Sequence, residues 1–187
     1  MKNLDKNSQP LPNITSPHSA SESMLEDFFI HSLQEMYYVE NSISEEFALI
    51  KDEISSAKLK DILKTHYAIH LRHKDRLVKI FELRDELIEN KKSEIFDALI
   101  SEGKRHLAIF PNDIVNWEIA LILVSQKLSH YKIASYGGLA HVAIKLNYYK
   151  AATLLAISVQ EEEEFITNNL NGIFDAFLAS HVAGYRN

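Results

Sequence analysis

Cysteine is absent from all 187 residues. That single absence removes disulfides, thiolate-ligated zinc, iron–sulfur clusters and thiol catalysis from consideration. Glycine (5) and proline (4) are nearly as scarce. Pro10, Pro12 and Pro17 fall within the first twenty residues among Ser and Asn, so only Pro111 interrupts the remainder. Long proline-free intervals favour helices. Positive charge is in deficit, with 20 Lys+Arg against 26 Asp+Glu and a net charge of −6. Such a balance gives no electrostatic support for nucleic acid or an anionic membrane as partner. Long apolar runs are missing too: the longest aliphatic stretch, Ile119 to Val124, falls far short of the roughly 20 residues of a bilayer span. The N-terminal residues lack the apolar core of a signal peptide, so the expectation is a soluble cytoplasmic protein.

What is present fits one globular domain. Hydrophobic residues make up 46% and charged residues 25%, an ordinary balance for a folded chain of this size. The Pro/Ser/Asn-rich start reads as a flexible tail over 1–22, followed by a bundle over 23–180 and a short tail over 181–187. Ser23, with Glu26 three residues on, is a capping box for a first helix. Phe29, Leu33, Met36, Ile43 and Phe47 then recur mostly every three or four residues, marking one helical face. A second stripe runs from Leu59 to Leu87/Ile88, and residues 94–109 form a shorter amphipathic piece. A third stripe runs from about Ile114 to Leu146, with Asn147 suited to a left-handed turn, and a fourth from Tyr148 to Leu178. No strand-period segment competes. Four long helices, two tight hairpins and one long connection carrying a short helix predict an all-α, ferritin-like four-helix bundle.

Several polar residues occupy positions that the core should own. Glu40 lies between Tyr37 and Ile43 on the first stripe; His66, His70 and His73 share the face of Leu63 and Leu77 on the second. Glu118, Ser129 and Tyr136 lie on the third stripe, and Glu162 on the fourth. Glu40, His73, Ser129 and Glu162 are each near the middle of their helix, so an antiparallel bundle brings them to one height. A buried carboxylate without compensation is strongly penalised. Two compensations are open. One divalent ion of iron, manganese or zinc could be held by Glu and neutral His. Alternatively, protonated His70 and His73 could pair with Glu40 and Glu162 in a metal-free network. Tyr37, three residues before Glu40, is placed to hydrogen-bond it or to pack in the core. The run Glu161–Glu164 can put only Glu162 on the core face, so its other members are expected in solvent.

The chain resembles the YciE/YciF family of bacterial ferritin-like stress-associated proteins over about residues 25–178. The resemblance is carried by Glu26-Asp27-Phe28-Phe29-Ile30-His31 with Tyr37 and Glu40, by Gln126 through Gly137, and by Tyr149-Lys150-Ala151-Ala152 through Glu161-Glu162. It implies a bundle, usually dimeric, with a dinuclear carboxylate/histidine metal centre. Glu40 and Glu162 match that centre. The family's Glu-x-x-His on the second helix is His70-Leu71-Arg72-His73 here, Ser129 replaces the Glu that precedes His130-Tyr131, and Ile166 replaces an acidic residue. The implied metal set is Glu40, His70, His73 and Glu162, with Tyr37, His66, Ser129 and His130 as supporting or replaced positions. A dinuclear site wants about four carboxylates and two His, so this chain is expected to hold one ion or none. The expected function is therefore a stress-associated protein with a reduced core site, acting if an enzyme as a metal-dependent oxidoreductase. The alternative is a metal-free bundle with a structural or interaction role. The resemblance also implies a homodimer.

Overall fold

The computed structural model describes the backbone of residues 17–184 and the side chains of residues 21–180. Its elements are α1 (Pro17–Ile50), α2 (Ala57–Arg84), α3 (Glu94–Leu107), α4 (Ile114–Lys145), α5 (Tyr149–Phe165), a π-helical segment (Ile166–Leu170) and α6 (Asn171–Gly184). The fold is the expected helical bundle, and no strand occurs among the described residues. Of the expected N-terminal tail, residues 1–16 lie outside the described part, while α1 begins at Pro17, ahead of the Ser23 capping box.

Helix α1 packs on α2, α2 on α5, α5 on α4 and α4 on α1, closing the bundle, while α3 lies in the crossover against α4. Two apolar clusters fill the interior. Phe29, Leu33, Leu77, Phe81, Tyr136 and Leu155 build one; Leu59, Leu63, Trp117, Ile122, Phe165 and Leu170 build the other.

Local chemistry sets the element ends. Ser56 and Ser93 cap α2 and α3 through their hydroxyls, and Asp113 caps α4. Asn147 adopts φ 62, the left-handed turn expected between α4 and α5. Helix α2 stops sooner than the stripe suggested. Asp85 takes φ 53, and its N–H bonds back to Glu82 and Phe81 carbonyls, so the chain leaves the helix there. Leu87 and Ile88 consequently sit exposed in the crossover rather than on the α2 face. At Gly103 a Cβ would come within 2.8 Å of Val124 Cγ1, so glycine permits the close approach of α3 to α4. The π-helical segment adds a residue to one turn, which keeps Phe165, Ile166, Leu170 and Ile173 all directed into the core. Among the described residues, no helix is long and apolar enough to cross a membrane.

Glu118, a stripe residue, has a structural task. Its Oε1 accepts the N–H groups of Ser55 and Ser56 at 2.7 Å each, satisfying donors where α2 begins. Glu118→Ala is expected to lower stability by about 1–2 kcal/mol in urea unfolding. An unchanged midpoint would show that water replaces the carboxylate there.

Candidate functional site

Midway along the bundle, Glu40 of α1, His66, His70 and His73 of α2, Ser129 and Lys132 of α4, and Glu162 of α5 converge, all buried. Helical periodicity places six of these on inward faces and four of them, Glu40, His73, Ser129 and Glu162, at one height; it does not single out Lys132. The ammonium of Lys132 is the centre of the cluster. Its Nζ lies 2.6 Å from Glu162 Oε1, 2.6 Å from His70 Nδ1, 3.0 Å from His73 Nδ1 and 3.0 Å from Glu40 Oε1. Four acceptors from three other helices therefore surround one ammonium.

A second ring of contacts orients these groups. The Tyr136 hydroxyl donates to Glu40 Oε1 at 2.5 Å. His66 Nε2 donates to Glu162 Oε2 at 3.0 Å, with Ser129 Oγ 3.4 Å away, and the imidazole stacks on Phe165 at 3.9 Å between centroids. His73 Nε2 donates to Glu161 Oε2 at 3.1 Å, which leaves Nδ1 free to accept from Lys132. His70 Nδ1 lies between Lys132 and Glu40 Oε2, the latter at 3.0 Å. The nearer, charged ammonium takes that nitrogen as acceptor, so the ring proton belongs on Nε2.

Glu161 departs from the solvent-facing expectation. Arg72 Nε and Arg76 donate to it at 3.0 and 2.7 Å, so it ties His73 to two surface guanidinium groups. Glu163 and Glu164 are exposed as expected. Tyr37 does not reach Glu40; it packs edge-on against Phe81, with Lys74 over its ring. Tyr136, one turn beyond Lys132, supplies the hydroxyl instead. His130 is exposed and points away from the cluster.

Electrostatics follow from this packing. Burial alone would raise the carboxyls of Glu40 and Glu162, yet the Lys132 charge holds both well below the usual carboxylate range, with His66 also donating to Glu162. Burial and then Lys132 push the His70 imidazole down to about 3 and lower His73 as well. Burial and the Glu40 carboxylate push Tyr136 well above its ordinary value. For Glu161, burial is outweighed by Arg76 and Arg72, which bring it to about 2. Glu40, Glu161 and Glu162 thus balance Lys132, Arg72 and Arg76, three charges of each sign, while His70 and His73 stay neutral. Tyr136→Phe removes a charge-assisted hydrogen bond and is expected to cost about 2 kcal/mol in thermal or urea unfolding. A loss within about 0.5 kcal/mol, the range of neutral surface changes, would show that the hydroxyl does not support Glu40.

Two triads have the spacing of metal ligands: Glu40, His70 and His73, and His66, His70 and Glu162, with donor atoms within 4.8 Å of one another. A transition metal would sit about 2.0–2.2 Å from such donors. In the first triad that volume is taken by Lys132 Nζ, which lies 3.0 Å or less from Glu40, His70 and His73, and in the second Nζ contacts His70 and Glu162 but not His66. A doubly charged ion cannot share it with an ammonium. The residues present do not fit a metal while Lys132 holds its place.

Comparison with known proteins identifies the lineage. Residues 24–181 match the family described as a domain of unknown function, DUF892. This chain belongs to that family. A relative, the protein YciF of Escherichia coli (strain K12), is 32% identical over 155 residues, covering 79% of this chain and 93% of YciF. The crystal structure of the E. coli stress protein YciF superposes with a TM-score of 0.76 at 29% identity, covering 83% of this chain and 97% of that one. YcfI from Rhodopseudomonas palustris shares the fold at a TM-score of 0.74 and 24% identity, covering 79% of this chain and 92% of YcfI. The DUF892 match includes every residue of the buried cluster.

Proposed function

We propose that this DUF892 protein works without a metal, as a structural or interaction protein of the stress-associated type, its core site closed by an internal ammonium. The observation that carries this reading is Lys132 Nζ at 2.6–3.0 Å from the groups that would otherwise ligate an ion. With those groups engaged by Lys132, a structural role is favoured over the oxidoreductase alternative. The relatives point the same way: one is a stress protein and another, YcfI, has been put forward as structural. The family resemblance and the net charge of −6 support action in the cytoplasm as a homodimer, without nucleic acid or membrane as partner.

The test is exhaustive dialysis of the untagged protein against a strong chelator. Melting temperature and the mass measured by light scattering should stay unchanged, the mass at twice that of one chain. A melting temperature that falls on chelation and returns with added manganese, iron or zinc would overturn the metal-free reading. A single-chain mass would overturn the dimer.

A further inference from the structure

Beside the polar cluster lies a cavity of about 110 Å³ between α1, α2, α3 and α4. Ile43, Phe47, Leu63, Ile100, Leu121 and Leu128 are among its walls, and His66 and His70 also line it. The Glu46–Lys104 ion pair, 2.7 Å long and also part of the lining, joins α1 to α3. Apolar cavities of similar size take up benzene-sized molecules when no water is held in them. This one differs in its two imidazoles, whose ring centroids are 4.2 Å apart. One nitrogen of each ring is committed elsewhere: His66 Nε2 to Glu162, and His70 Nδ1 to Lys132. No described residue hydrogen-bonds His66 Nδ1 or His70 Nε2. The lining hydroxyl of Ser125 is already spent on the Leu121 carbonyl at 2.9 Å.

We infer that this cavity is a binding site for a small apolar molecule carrying one hydroxyl, a phenol or short alcohol. The two imidazoles offer one acceptor, His66 Nδ1, and one donor, His70 Nε2–H, and a hydroxyl is the group that answers both at once. The hydrocarbon part of the guest would replace void with contacts against the leucine and isoleucine walls. The assignment rests on the same protonation pattern that Lys132 imposes on His70, and so on the metal-free reading. It adds a ligand to what was otherwise a purely structural bundle.

Phenol and toluene, matched in size and differing in the hydroxyl, are the probes. Each is titrated into the full-length protein, with histidine side-chain nitrogens followed by long-range proton–nitrogen NMR and with melting curves in parallel. Phenol should bind, shift His66 Nδ1 and His70 Nε2, and raise the melting temperature. Toluene should bind about tenfold more weakly, the factor expected when one net hydrogen bond is lost. In Ile100→Phe, whose ring fills the cavity, phenol should produce neither shift. No binding of phenol, equal binding of both probes, or phenol shifts that persist in Ile100→Phe would each overturn the proposal. If Ile100→Phe does not fold, the phenol–toluene comparison on the natural protein still decides. Metal retained by the natural protein together with intact phenol shifts would sink the metal-free reading and leave the cavity assignment standing.

Discussion

Lys132→Met should lower stability at pH 7 by about 3–5 kcal/mol, the range for removing one partner of a buried ion pair. Met keeps most of the length and apolar stem of Lys, so packing changes little. The charge is lost from beside Glu40 and Glu162, both fully buried. Two carboxylates at this distance cannot both stay ionised in the core, and one takes up a proton. The variant should therefore be relatively better off in mild acid than at neutral pH. Zinc or manganese should restore stability in the variant, because an ion that binds only the folded state adds about 2.7 kcal/mol at a hundred times its dissociation constant. Urea unfolding with and without metal measures both effects. A variant as stable as the natural protein, or one indifferent to metal, would mean that the cluster does not depend on this charge.

Acid should destabilise the natural protein in two stages. His70 and His73 have depressed folded values, so the fold keeps them neutral. The unfolded chain protonates them below about pH 6.5, and proton binding by the unfolded state favours unfolding. Stability should thus decline as pH falls below that value, by about 1.4 kcal/mol per pH unit for each such histidine. For His70 the decline ends only near its folded value of about 3. Glu40, Glu161 and Glu162 are also depressed, and their contribution is present above the unfolded carboxylate value of about 4.3 and lost as pH falls toward their folded values. The second stage therefore steepens the loss below that point. Unfolding free energies at pH 7.5, 6 and 5 should fall in that order, and a flat series would contradict neutral buried histidines.

The bundle was legible because helical periodicity is a local signal repeated over long proline-free segments. The stripes placed Glu40, His66, His70, His73, Ser129 and Glu162 on inward faces, and packing brought them together. Lys132 escaped because a lysine is read as a surface residue unless its register is followed. It lies three residues after Ser129 and four before Tyr136, on the face that already contained both. The charge count offered a second signal, since two buried carboxylates called for an internal cation as much as for an ion from solution. Tyr37 misled for a related reason: it is near Glu40 along the chain, whereas the donor, Tyr136, comes from another helix. Glu161 reached His73 and two arginines because α5 packs against α2, which the α5 sequence alone does not encode. The early end of α2 turned on Asp85, a left-handed cap without the glycine that usually announces one.

On the metal-free reading, Lys132 holds the position of a metal ion. Equilibrium dialysis of the untagged natural protein and of Lys132→Met against zinc, manganese and ferrous iron, with bound metal quantified by elemental mass spectrometry, tests it most directly. The natural protein should retain far less than one ion per chain, and Lys132→Met should take up one. A tightly held ion in the natural protein, bound at the same stoichiometry as in the variant, would show that Lys132 yields its place and would contradict the account.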